Sequence, residues 1–289
     1  MSADRNEGEK PIRIYRCEDT PDGILTAIYE AGLSGYGHRY IRIEPQIEGE
    51  AENITLFSEY ISVQTDVFKA EKVVQTVREK ISQRAYRYMM YAVAASASDR
   101  GDALYQFLTY GFSIGDKICD MLQFPPAKRV FELQRAVGNE AHYSREFLRF
   151  KQVYRKPRVM LAVFEPEHHV LPMVMEHFSD RFSGEWFIIY DKAHGEAGFH
   201  IVENPVSDDA GSKGKADIKG TIETQIEIRK LTEEEANRLE RFSETEEDYA
   251  DLWKTFFHAI AIEERKNENL QKNRMPLHYR KYVTEFLES

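Results

Sequence analysis

The chain has 289 residues, of which 42% are hydrophobic and 12% aromatic, enough for one large or two small packed domains and too apolar for a disordered chain. It has no run of eighteen apolar residues, and its opening, MSADRNEGEKP, carries no apolar segment, so neither a membrane span nor a secretion signal is expected and a cytoplasmic location is. A net charge of −10 weakly disfavours nucleic acid, but the charge is uneven: 15 basic and 8 acidic residues from Arg78 to Arg158, against 7 basic and 15 acidic from Glu203 to Asp251. Such asymmetry points to one face for an anionic partner, the alternative being a solvated helical surface.

In chain order, residues 1–10 read as a loose tail. The alternating PIRIYRC predicts a strand with Ile12 and Ile14 on one face. A helix follows, capped by Asp19 or Thr20, with Pro21 in its first turn, a buried stripe of Ile24, Leu25 and Ile28, and an end at Gly32. NITLFSEYISVQTD, rich in β-branched and aromatic residues, predicts one or two strands. Asp66 caps a helix bearing Ala70, Val73, Val74, Val77 and Ile81 at helical spacing, and Ser82 caps the next. Short helices are expected over 99–110 and 114–122, then a long helix from FPPAKR to about Phe150, with Gly138 a weak or closely packed point.

VMLAVF is a compact strand, VLPMVMEHFSDRF a helix with Val174, Phe178 and Phe182 inward, and EWFIIYD and AGFHIVE are strands around the turn KAHGE. Residues 204–220 are poor in apolar residues and read as a loop or linker. TIETQIEIR alternates like an edge strand, and helices are expected to the end. The expected organisation is a mixed α/β, helix-rich main domain over 11–203 with a small sheet, followed by a strand and helical segment over 221–289 packed back on it.

Cys17 and Cys119 are isolated, so they form neither a zinc cluster nor a disulfide framework and read as reduced thiols. They are also too few for this chain alone to hold an iron–sulfur cluster. The stretch EPEHHVLPMVMEHFSDRF holds three histidines, four carboxylates and one arginine. His169 and His177 are about 12 Å apart along a helix, and His168 and His169 face different ways, so no metal site is expected from these residues alone. Topology makes a stronger case. If the strands ending at Glu165 and Asp191 are parallel, they form a βαβ crossover, and Glu165, His168 and Asp191 meet at the carboxyl edge where open α/β sheets bind ligands. These three are the candidate catalytic residues. An antiparallel pair would separate the carboxylates, which would then cap helix and turn ends.

From Lys128 to Arg158 there are nine basic and three acidic residues. Arg135, His142, Arg145 and Arg149 form a basic helical stripe, interleaved with Tyr143, Phe147, Phe150 and Tyr154. Basic side chains bind phosphates and exposed aromatics stack on bases; the alternative is that the aromatics pack inward. In HFSDRF, Arg181 shares a helix face with His177 and Asp180 and is suited to grip phosphate. Arg265 and Arg274 add a basic C-terminal stretch. The chain has no Walker-type loop, G-x-G-x-x-G, H-E-x-x-H or G-x-S-x-G, and no cofactor is expected.

The segments DGILTAIYEA, RGDALYQFLTYGF, VGNEAHYSREFLRF, EPEHHVLP, HFSDRF, WFIIYD and LWKTFFHAIAIEERKN…LQKNRMPLHYRKY, in this order and spacing, resemble an uncharacterised bacterial family described only by a role in DNA metabolism or repair. That family is typically encoded beside a radical-SAM protein, and related domains occur fused to uracil-DNA glycosylase domains. The resemblance implies DNA and a radical-SAM protein as partners, without a mechanism. It carries over Glu140, His142, Arg149, Phe150, Glu165, His168, Asp180, Arg181 and Asp191, and in the tail Arg265, Asn267, Gln271, Met275, Pro276 and Tyr279. Departures are Glu268 for a usual Pro, Arg280 for a usual Trp, and His169 for a usual Asn. The competing functions are a stand-alone nucleic-acid or nucleotide enzyme using Glu165, His168 and Asp191, and a protein–protein adaptor without DNA contact.

Overall fold

The structure, a computed structural model, describes residues 10–46, 56–155, 158–202 and 224–244. It is mixed α/β and helix-rich, with two small sheets, and divides into two compact units, Met1–Gly138 and Asn139–Ser289. The boundary falls inside a helix, whereas the loop expected at 204–220 lies outside the described residues.

In the first unit, β1 (Ile12–Glu18) is the centre of a three-stranded sheet, with β2 (Ile41–Gln46) and β3 (Ser58–Ser62) paired parallel on either side. The crossover helix α1 (Pro21–Leu33) begins where expected: Thr20 Oγ1 accepts the Gly23 N–H at 3.0 Å. A Cβ at Gly23 would lie 2.5 Å from the Glu18 carbonyl oxygen, so the tight exit from β1 requires glycine there. The helix passes Gly32 and ends at Leu33, with Ser34 as its C-cap.

Both α2 (Val67–Lys80) and α3 (Gln83–Ala94) start at the expected caps. Asp66 accepts from Phe68 and Lys69, and Ser82 from Ala85. The segment expected as two short helices is α4 (Arg100–Ile114) followed by a 3-10 turn, Gly115–Asp120. A close contact at Gly101, where a Cβ would lie 2.9 Å from the Ile43 carbonyl, seats α4 on β2, and Asp102 accepts the Ile43 N–H at 2.7 Å.

The long helix α5 (Pro125–Phe147) ends three residues before Phe150. In the second unit β4 (Lys151–Arg155) pairs antiparallel with β5 (Arg158–Phe164). Then come α6 (Leu171–Arg181), β6 (Trp186–Asp191), β7 (Glu196–Val202), β8 (Thr224–Lys230) and α7 (Glu233–Glu244), giving the strand order β4-β5-β6-β7-β8. β5 and β6 are parallel, with Phe164 opposite Asp191, so β5–α6–β6 is the expected crossover. β7 and β8 continue antiparallel.

Strand alternation divides the core. Val159, Leu161, Trp186, Ile188, Tyr190, Ala197 and Phe199 pack with Leu239 of α7. On the other side Phe150, Phe178, Phe182 and Phe187 form a cluster with centroids 4.9–6.2 Å apart, edge-to-face where Phe150 meets the other three and where Phe182 meets Phe187, and stacked between Phe178 and Phe182. Phe150 therefore packs inward instead of joining an exposed helical stripe. The helices expected beyond residue 244, with Arg265 and Arg274, lie outside the described residues.

Candidate functional site

Two surfaces of the second unit carry chemistry-bearing side chains. The first is the carboxyl edge of β5 and β6. There Asp191 is buried at 1% exposure, and its two oxygens hold one turn. Oδ1 accepts the His194 backbone N–H at 3.1 Å, and Oδ2 lies 2.7 Å from His194 Nδ1. Gly195, at φ +64°, takes the left-handed residue that returns the chain into β7. A buried carboxylate on Nδ1 orients the imidazole and leaves Nε2 outside this bond.

The His169 ring lies on this imidazole, with centroids 3.9 Å apart and planes at 35°. The turn that carries His169 is fixed from α5: the Glu140 carboxylate accepts the Glu167 N–H at 2.7 Å and the His168 N–H at 2.8 Å. Burial works against charge on His194. The hydrogen bond that the ring donates to Asp191, and the charges of Asp191, Glu196 and Glu140, outweigh it and raise the proton affinity of the ring above the ordinary histidine value.

Of the residues singled out in the sequence, Glu165 directly follows β5 and Asp191 ends the parallel β6, but the two have different partners. Glu165 meets Lys192 Nζ at 3.4 Å, and Lys192 also reaches Glu240 of α7 at 3.5 Å. His168 is buried, while its neighbour His169 joins the imidazole pair. His194 was not singled out. The signal that could have found it is Asp-x-x-His-Gly straight after a strand, a pattern in which the Asp caps its own turn. Among the described residues no group of three or more His, Cys, Asp or Glu could hold a metal ion.

The second surface is the end of α5. Tyr143 is 57% and Phe147 65% exposed, with ring centroids 6.4 Å apart, and His142 is 5.9 Å from Tyr143. The expected basic stripe is only partly open. Arg135 is exposed, as is Arg149, which donates to the Glu146 and Leu148 carbonyls and so caps its own helix. His142 pairs with Glu146 at 3.2 Å.

Arg145 turns towards α6. Its Nε is buried without a hydrogen-bond partner, as is Glu176 Oε2. Burial first, and then the charge of Asp180, push the Glu176 carboxyl up to about 7 against the pull of Arg145. Burial, Arg145 and Arg181 lower the proton affinity of His177, so cations from two helices converge on it. Arg181 is exposed, its guanidinium 5.9 Å from the Phe182 ring.

No curated protein matches the chain. Among solved structures, the pGpG-specific phosphodiesterase PggH from Vibrio cholerae aligns with 82% of this chain and 98% of its own at 11% identity, but with a TM-score of 0.27 that carries no argument about this chain. Residues 98–285, which span α4, α5 and the whole second sheet, match the family described as DUF4130, a domain of unknown function, and the chain belongs to that family.

Proposed function

We propose that the protein binds nucleic acid through the end of α5 and serves DNA metabolism alongside a radical-SAM partner. The observation that carries the binding is the exposure of Tyr143 and Phe147, one turn apart, on a helix bearing Arg135 and His142 and capped by Arg149. Large rings left in water beside cations suit base stacking and phosphate contact together. Arg181 joins them from α6, through its convergence with Arg145 on His177. The radical-SAM partner rests on the family resemblance, and co-purification of the two proteins tests it.

Binding is tested by fluorescence anisotropy with labelled single-stranded and duplex DNA. Changing Tyr143 and Phe147 to Ala is expected to weaken single-strand binding by about 1–3 kcal/mol per lost stack. A folded double variant that binds as the parent does would reject this surface.

A second reading is favoured by the Asp191–His194 hydrogen bond: a proton-transfer enzyme on nucleic acid or nucleotide. The candidate set of Glu165, His168 and Asp191 is then modified, with His194 as the proton carrier and Asp191 orienting it. Turnover of a labelled strand that survives His194→Gln would rule it out.

A further inference from the structure

We propose that the Asp191–His194 turn and His169 form a nucleobase pocket, which takes the base of an unpaired nucleotide from a strand lying on Tyr143 and Phe147. This rests on the nucleic-acid reading of α5 and names what the carboxyl edge would bind.

Placement is the first argument. Glu140, Tyr143 and Phe147 stand at i, i+3 and i+7, so they share one face of α5. Glu140 ends that face in hydrogen bonds to the turn carrying His169. The aromatic platform and the imidazole pair therefore border the same side of one helix. A strand stacked along that side would bring its next base to the imidazoles.

Charge is the second. Asp191, Glu196 and Glu140 all bear on His194, and the neighbouring Lys192 is engaged by Glu165 and Glu240. So acidic a setting repels a phosphate and accepts a neutral base. The His194 side chain keeps 15% of its surface exposed, enough to be reached. With Nδ1 committed to Asp191, protonated Nε2 can donate to a ring nitrogen or carbonyl of the base, and the His169–His194 stack continues the π surface.

Imidazole NMR of the full-length protein, with strand binding followed by anisotropy on the same samples, tests the pocket. The probes are a short mixed-sequence single strand, an abasic strand of equal length, and inorganic phosphate. The base-bearing strand is expected to shift the His194 and His169 resonances, while the abasic strand and phosphate leave them in place. His194→Gln should weaken the base-bearing strand about tenfold and the abasic strand little, as loss of a charge-assisted hydrogen bond predicts. Should that variant fail to fold, His169→Asn and the parent titration decide alone.

Equal shifts from the abasic strand or from phosphate would overturn the pocket, as would a strand that binds without moving either histidine. No binding of any strand would instead overturn the nucleic-acid reading.

Discussion

Asp191 is the residue on which the carboxyl edge turns, because one buried carboxylate orients both the backbone and the ring of His194. An Asp191→Asn change removes the charge and the ring's best acceptor. The His194 proton affinity should then fall, since burial remains and only the weaker charges of Glu196 and Glu140 still oppose it. Titration of the imidazole resonances by NMR checks this. The sign for stability follows: a histidine whose affinity is raised by folding contributes fully below its unfolded value and loses that contribution as pH rises through its folded one. The parent should thus lose more stability than the Asn variant across the window just above the ordinary histidine range.

Asp22 in the first unit runs the other way. Burial, and then the charge of Glu71, push its carboxyl up to about 7, and it is 3% exposed. A carboxyl raised on folding costs stability as pH climbs from its unfolded value to its folded one. Asp22→Asn should therefore stabilise the protein above pH 7, by up to about 4 kcal/mol, and change little below pH 4. Denaturant unfolding at the two pH values decides it. Neither effect was legible in the sequence, where Asp22 is one more acidic residue in a first helical turn.

At the scale of elements, caps and periodicity were readable because they act locally. Thr20, Asp66 and Ser82 each hold the backbone N–H groups expected of them. The β5–α6–β6 crossover was readable because two compact apolar runs flank one amphipathic helix, although only the structure shows the strands to be parallel. β2 and β4 were missed for physical reasons. β2 is a short edge strand containing Pro45, and β4 has a basic sequence that also fits a helical stripe until the Phe150 cluster ends the helix.

Packing of α6 on β7 gives a test at this scale. A Cβ on Gly198 would lie 2.3 Å from Met175 Sδ and 2.5 Å from its Cγ, in a fully buried contact. Gly198→Ala should destabilise the protein by roughly 1–3 kcal/mol, the usual cost of overpacking, measurable by urea unfolding. Met175→Ala in the same chain should recover part of that loss, because the space it vacates is where the new methyl goes.

For the whole molecule, the net charge of −10 requires any attraction for a polyanion to be local. In the second unit Arg149 and Arg181 are exposed cations of the proposed face, so a single strand should show a salt slope of about −1.4, at roughly 0.7 per phosphate contact. Removing Arg149 should flatten the slope by about 0.7, and anisotropy at several salt concentrations measures both. A slope as steep as −6 would mean that cations outside this face, such as Arg265 and Arg274, dominate.

The hairpin turn that holds His194 also sets an order of assembly. The Asp191–His194 bond spans three residues and closes as soon as β6 and β7 meet. The Glu140 bonds to Glu167 and His168 span 27 and 28 residues and close only when α5 docks. The proton-bearing ring is thus in place before the wall that shelters it. An opening that frees α5 would leave the dyad intact and expose it on both sides, so the Glu167 and His168 amides should exchange with solvent faster than the His194 amide.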